Sequence, residues 1–399
     1  MSGPARATVV VAGGGIGGLA VAGVLGRAGW RVVVLERAPE FAPVGAGIAL
    51  PSNAVRALDR LGLGERLRRR AAIRGPAELR TPRGRRLAHA PTRVPSEDDV
   101  GAMFALHRAD LHHLLRDGAR DAELRTGHRV VDVREDAERV VVAVETAAGP
   151  DELVADLLVG ADGVDSVVRP AVVAGHPGPS HAGYVAWRAV VEAEAATRIG
   201  VPDLPVETWG RGRRFGIVPL ADGRVYWYAT ASGPPGTGSG AALPAVAARF
   251  ADWHPPIPEL LAATRPEALL RHDIRFQRHP LPTYVTRRVV LVGDAAHAMS
   301  PDLGQGGAQA LEDAVVLAAL LGAPGGDVPA ALAAYDAARR PRTQRLVRLA
   351  ARAARLAQLD GPAAGLRDAV LPLVPAGVLQ RQARRILGWT PPDLGPVVG

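Results

Sequence analysis

The run Gly13-x-Gly15-x-x-Gly18 constrains this chain most, because it stands between a β-rich segment, Thr8 to Ala12, and a helix predicted from about Ile16 to Ala28. Glycine at the first position permits a tight turn, at the second close approach of a pyrophosphate, and at the third close packing of the helix. The helix start then offers free N–H groups and the positive end of a dipole to phosphates. A second apolar run, Arg31 to Leu35, ends at Glu36, 18 residues past Gly18, where a carboxylate can accept ribose hydroxyls. Strand, helix and strand in so short a span imply a right-handed parallel crossover. The pattern predicts a bound dinucleotide and leaves FAD and NAD both open.

Composition narrows the rest. At 399 residues with 48% hydrophobic content, the chain is long enough for two domains and a large core. It has no cysteine, so disulfides, thiolate nucleophiles and cysteine-bound metals are excluded. It has no lysine either, so all 48 basic side chains are arginine and carry the net charge of +8. The basic runs, Arg66 with Arg68 to Arg70 and Arg83 with Arg85 and Arg86, lack interleaved aromatics. They read as a solvated surface, and no nucleic-acid partner is expected. The apolar stretch Ala7 to Leu25 is broken by Gly13, Gly14, Gly15, Gly17 and Gly18, so a folded strand–helix unit is expected, not a signal peptide or membrane insertion.

Further along, Ser52 is expected to cap a helix reaching about Leu61, and Leu111, Leu114, Leu115 and Ala119 share one face of a helix after Arg108. Arg129 to Ala143 reads as a hairpin, and Leu157 to Gly160 as a buried strand. From about Ala182 to Arg278 the character changes, with four of the six tryptophans and strands at Val185 to Val191, Phe215 to Leu220 and Arg224 to Thr230. This region is expected to form an antiparallel sheet, with Ser232 to Gly240 an exposed loop. Arg288 to Val292 is again a strand, a helix runs from about Gly306 to Leu321, and Val328 to Leu359 is an arginine-studded helix.

Two further motifs stand at strand ends. Gly160-Ala161-Asp162-Gly163-Val164-Asp165-Ser166 closes on Arg169. Gly293-Asp294-Ala295-Ala296-His297 is followed by Pro301, Gly304-Gln305-Gly306-Gly307 and Leu311-Glu312-Asp313-Ala314. A carboxylate at such a strand end can bind ribityl hydroxyls, and the glycine-rich helix start beyond it aims N–H groups at a flavin ring.

With Gly45-Ala46-Gly47-Ile48 and His107-Arg108-Ala109-Asp110-Leu111 in between, these motifs occur in an order that resembles the class A FAD-dependent aromatic monooxygenases of the p-hydroxybenzoate hydroxylase fold, over about residues 7 to 345. The resemblance implies an α/β fold with a Rossmann-type FAD-binding domain, an inserted antiparallel-sheet substrate domain and a C-terminal helical segment. The corresponding domains are 1–75, 101–178 and 282–325 for FAD, 76–100 and 179–281 for substrate, and 326–399 packed on the FAD domain. It implies FAD held by Gly13, Gly15, Gly18, Glu36, Arg37, Ala46, Gly47, Arg108, Val130, Asp294, Pro301, Gly304, Gly306, Gly307 and Ala308, with Asp162 serving both FAD and NAD(P)H. Ala308 departs from the asparagine of many relatives, so a side-chain contact is lost there.

The implied reaction uses NADPH or NADH to reduce FAD, and O2 to form a flavin hydroperoxide whose distal oxygen attacks a small aromatic or heteroaromatic substrate. The alternatives are epoxidation or tailoring of a larger polycyclic natural product, and a flavin oxidase or dehydrogenase on the same scaffold. A cytoplasmic monomer or homodimer is expected. Arg214 and Tyr226, twelve residues apart across a hairpin, resemble a substrate-facing pair of bacterial FAD-dependent urate hydroxylases, as does Tyr184-Val185-Ala186-Trp187. Ala186 stands where that group has an asparagine, which argues against urate because a buried polar substrate needs its hydrogen bonds met. The other reading makes Arg214 solvated and Tyr226 core. Trp187 and Trp227 read as packing. His112 and His113 diverge on their helix, His297 supports its turn, His272 and His279 match no carboxylate pattern, and no metal is expected. The long helix is expected to pack through Leu346, Leu349 and Ala350, with Arg339, Arg340, Arg342, Arg345 and Arg348 outward.

Overall fold

The structure is a computed structural model that describes residues 7–41, 45–75, 77–88, 101–240 and 242–394. Position 76 and residues 89–100 of the segment assigned to the substrate domain lie outside the described residues, as do 1–6 and 395–399 at the ends.

A five-stranded parallel sheet forms the base, in the order Val289–Leu291, Leu157–Gly160, Thr8–Ala12, Arg31–Glu36 and Glu123–Thr126. Its strands are apolar because both faces are covered, by helices Ile16–Arg27 and Gly306–Leu321 among others. All three motif turns leave the carboxyl ends of these strands, where an open α/β sheet places its ligand crevice.

A seven-stranded sheet stands over this base, in the order Leu270–Phe276, Ser180–Val191, Val225–Ser232, Arg213–Pro219, Val206–Trp209, Glu78–Arg80 and Arg86–Ala88. The predicted central strands are present and antiparallel. The pairing of Val206–Trp209 with Glu78–Arg80 is parallel, however. The region also contains the helices Ala193–Ile199, Leu243–Ala247 and Ile257–Ala262, five to seven residues long and too short for an apolar period to reveal. One face of the sheet, with Val185, Trp187, Phe215 and Trp227, packs on the last two helices; Trp227 donates to Thr264 Oγ1 at 2.9 Å. The other face alternates toward the base.

Two expectations need correction. The hairpin after Arg129 is a three-stranded sheet, Arg129–Glu135, Val140–Thr146 and Gly149–Ala155. The third strand was hidden by its exposed Asp151 and Glu152. Ser52 is the first helical residue, not the cap: Pro51 ends the preceding strand in extended conformation and turns straight into helix Ser52–Arg60 without a side-chain cap bond. The long helix spans Val328–Ala357, and Gly361–Val370 and Ala376–Leu387 follow it. No helix among the described residues is long and apolar enough to cross a membrane.

Candidate active site

The glycine turn closes as its spacing demands. Gly13 has φ +105°, and a methyl there would meet Ala161 O at 2.4 Å. A methyl on Gly18 would meet Gly13 O at 1.9 Å, so the helix packs directly on the turn. Gly15, by contrast, opens onto free space. Glu36 accepts the Gly14 N–H at 2.8 Å and the Ala38 N–H at 2.9 Å, which fixes its carboxylate beside the turn. Arg37 is exposed next to it. His112 Nε2 donates to Gly14 O at 2.9 Å. Val130 is buried in the core near this strand end, its side chain away from solvent.

The other two motifs meet this turn. Arg169 is buried and donates from Nε to Ala295 O at 2.8 Å and from Nη2 to Val164 O and Asp294 O at 3.0 and 3.3 Å. Asp162 Oδ2 accepts the N–H groups of Val167 and Val168, while its buried Oδ1 has no partner. Asp294 is open to solvent yet hemmed in by protein, and that crowding raises its carboxyl pKa against the pull of His297, Arg108 and Arg169. Arg108 faces it from the start of helix Arg108–Gly118, beneath Gly45, where a methyl would lie 3.0 Å from Arg108 Cβ. Gly306 faces Asp294 and Gly307 faces Ile16, so the third motif returns to the first. Pro301 and Gly304 are exposed on the same loop, and Ala308 is buried at its helix.

A buried polar network holds that loop from behind. Asn53 donates to Gln305 Oε1 at 3.0 Å and to Glu312 Oε1 at 2.7 Å. Asp313 accepts from Gly293 N at 2.8 Å and from His297 Nε2 at 2.7 Å. Arg339, expected on the outside, is 1% exposed. It donates to Asp313 at 2.7 Å, Glu312 at 2.6 Å and Gln309 Oε1 at 2.8 Å. Two carboxylates on one buried helix face need a cation, and the long helix supplies it in Arg339, joined on Glu312 by Arg342, also expected outward. Burial alone would raise the Asp313 carboxyl, but His297 and Arg339 hold it well below the usual range. Leu346 and Ala350 pack inward as expected. In the sequence, Leu311-Glu312-Asp313-Ala314 signals this network: acids in an otherwise apolar helix.

The large sheet turns its tyrosine-bearing face to the groove. Tyr226 lies against Gly47, where a methyl would meet its ring at 2.4 Å, and it packs with Ala46, Val218 and Leu220. Tyr226 stands close to Arg188, which is near Arg108 and His272 and which the sequence did not single out. Tyr228 crosses above Gly216 and reaches Glu207. Burial raises both tyrosine hydroxyl pKa values. Arg214 is 4% exposed, not solvated. It donates to Asp302 at 2.5 Å and to Glu207 at 3.3 Å, and Tyr184 OH donates to Asp302 at 2.7 Å. The sheet is thereby tied to the glycine-rich loop, and Arg214 Nε is left without a partner.

Comparison with known proteins agrees with this geometry. Residues 6–350 match a family described as FAD binding domain. The aurachin C monooxygenase/isomerase of Stigmatella aurantiaca is 38% identical, covering 96% of this chain and 98% of its own. A 3-amino-4-hydroxybenzoate 2-monooxygenase of Streptomyces cremeus is 37% identical over 90% of both chains. An FAD-dependent urate hydroxylase of Klebsiella pneumoniae is 34% identical over 85% of this chain and 87% of its own. Among solved structures, Klebsiella pneumoniae HpxO complexed with FAD and uric acid superposes with TM-score 0.81 at 29% identity, over 96% of both chains. A salicylate hydroxylase substrate complex gives 0.78 at 28%, again over 96% of both. With nearly the whole chain matched in sequence and in fold, the protein belongs to the FAD-binding-domain family and, within it, to the FAD-dependent aromatic monooxygenases.

Proposed function

We propose that the protein uses NADH or NADPH and O2 to insert one oxygen atom into a small aromatic or heteroaromatic substrate seated between the glycine-rich loop and the tyrosine face of the large sheet. The overall balance is substrate, O2, NAD(P)H and a proton giving hydroxylated substrate, NAD(P)+ and water. FAD, when bound, accepts the reducing equivalents and activates O2 for transfer of one atom.

The groove fits such a dinucleotide: Gly15 leaves space, Asp162 Oδ1 lacks a partner and Asp294 stands open on the groove wall. Gly13, Gly15 and Gly18 would admit the pyrophosphate, Glu36 and Arg37 the adenosine end, and Arg108, Asp162 and Asp294 the central phosphates and hydroxyls. Ala46, Gly47 and the loop Pro301 to Ala308 would border the ring. The domain division, 1–75, 101–178 and 282–325 for FAD, 76–100 and 179–281 for substrate and 326–399 packed on the FAD domain, follows from the same reading.

One observation carries the substrate side. Arg214 is fixed by Asp302 and Glu207 yet keeps Nε unpaired, directly beside the loop that would border the ring. It would position a substrate acceptor with that one N–H, while Tyr226 and Tyr228 flank an aromatic body and exclude water. Ala186, opposite Thr230 on this face, provides no amide for a purine.

The test is steady-state NAD(P)H oxidation with urate, salicylate, 3-hydroxybenzoate, 3-amino-4-hydroxybenzoate and aurachin C, coupled to product mass. Stimulated oxidation with gain of one oxygen atom is expected for at least one aromatic acid or fused heteroaromatic. Flavin-loaded enzyme that oxygenates none of them while a substrate bleaches it without nicotinamide would instead establish an oxidase.

A further inference from the structure

A cleft separates the long helix Val328–Ala357 from the ends of two strands of the large sheet. It consists of two hollows, of about 270 and 470 Å3, which share Phe276, Arg278, Ala351 and Arg355. Leu281, Tyr284 and Val347 add an apolar lining to the smaller hollow. The larger reaches Tyr184 and Ser300, immediately before Pro301 of the glycine-rich loop.

The rim of the smaller hollow is cationic. Arg348, Arg352 and Arg355 follow one another on one helix face, spanning about 10 Å at 1.5 Å per residue. Arg278 faces them from the strand side, its guanidinium 5.7 Å from the Phe276 ring. Among the described residues none of these four forms an ion pair, whereas Arg340 and Arg342 on the same helix are bonded to Asp336 and Glu312. In a chain with 48 arginines, unpaired ones are ordinarily just solvated.

The wall beneath them is what sets this cluster apart. Gln277 is buried, and its Nε2 donates to His279 O at 3.1 Å, but Oε1 has no partner. His297 is buried with Nε2 held by Asp313, and its Nδ1 also has none. Both side chains line the smaller hollow. Buried polar atoms are nearly always satisfied, so two orphans in one apolar hollow mark the place of a polar ligand edge. Several guanidiniums spread over about 10 Å suit a ligand with more than one phosphate better than a single carboxylate.

We propose that this cleft binds the adenosine-phosphate end of the nicotinamide dinucleotide. The adenine enters the smaller hollow with its amino group toward Gln277, and the phosphates lie across Arg278, Arg348, Arg352 and Arg355. The remainder passes through the larger hollow toward Pro301. The chain contains only one glycine fingerprint, which serves FAD, so the reductant needs a site of this unfamiliar kind. The inference rests on the reading that NADH or NADPH is the electron donor.

ADP-ribose separates the two claims, since it carries the adenosine and phosphates but cannot reduce flavin. Calorimetric titration of the FAD-loaded enzyme with ADP-ribose is expected to show one site. Arg348→Glu with Arg352→Glu should weaken it at least tenfold and raise the KM for NAD(P)H similarly. The rate at which O2 reoxidises dithionite-reduced enzyme should not change. Ala351→Trp, which fills the cleft without altering charge, should act likewise. Unaltered ADP-ribose binding in both variants, no binding to the parent enzyme, or equal competition by inorganic pyrophosphate would overturn the proposal. ADP-ribose binding that the variants abolish, in an enzyme that neither NADH nor NADPH reduces, would uphold the cleft and sink the donor assignment instead.

Discussion

Arg339 and Arg214 are both buried guanidiniums held by two carboxylates, and the difference between them separates scaffold from site. Arg339 meets Glu312, Asp313 and Gln309, all on one helix, and each of its three nitrogens is engaged. Arg214 reaches from the large sheet to Asp302 on a loop of the other layer, and its Nε is engaged by nothing. A complete buried cluster locks two helices into one relative position. An incomplete one leaves a directed donor where a ligand can finish it.

Arg339→Met tests the complete cluster. It removes the cation shared by two buried carboxylates, leaving Glu312 to Arg342 and Asn53 and Asp313 to His297, and unfolding by urea should show a loss of about 3–5 kcal/mol. The acid limb should change as well. Because Glu312 and Asp313 are held below their ordinary pKa values, the stability they contribute is whole above the unfolded carboxyl range. It is lost as pH falls below about 5 toward the folded values. The methionine variant should lose much of that acid dependence; an unchanged acid limb would mean Arg339 does not govern these carboxylates.

Arg214→Gln tests the incomplete cluster. Asp302 keeps its bond from Tyr184 and Glu207 stays beside the Tyr228 hydroxyl, so the cost in stability should be smaller, about 1–3 kcal/mol. The larger consequence should be functional: NAD(P)H oxidation continuing while product yield per NAD(P)H falls at least tenfold. A variant that destabilises as much as Arg339→Met yet couples normally would erase the distinction drawn here.

Gly47→Ala probes the apolar part of the same layer contact. Its methyl would press on Tyr226, and overpacking should cost about 1–3 kcal/mol, read as a lower thermal midpoint of the holoenzyme. Adding Tyr226→Ala should relieve most of the methyl's effect, giving a positive coupling in the double-mutant cycle. The smallest change is expected of Tyr228→Phe, about 1 kcal/mol for losing the hydroxyl beside Glu207. A much greater loss of coupling than of stability there would extend the site to Tyr228.

Elements whose chemistry is local were legible in the sequence. The glycine turn, Glu36, the two later strand-end motifs and helix Gly306–Leu321 appear where spacing put them, because turn geometry and strand alternation repeat within a few residues. Five-residue helices and a charged third strand were not legible, since neither carries enough periods to stand out. The burial of Arg339 escapes the sequence for a different reason. A helical arginine reads as outward until its acidic partners, 26 and 27 residues away, are known to face it.

The order of strand, glycine turn, helix and acid, taken alone, determined that this chain folds around a dinucleotide, because backbone geometry at those positions admits little else. Which arginines are buried, which keep a free N–H, and which ring a cleft with orphaned acceptors was decided only by packing. Those properties depend on what distant segments bring to the same point, and one-dimensional order carries no record of such proximity.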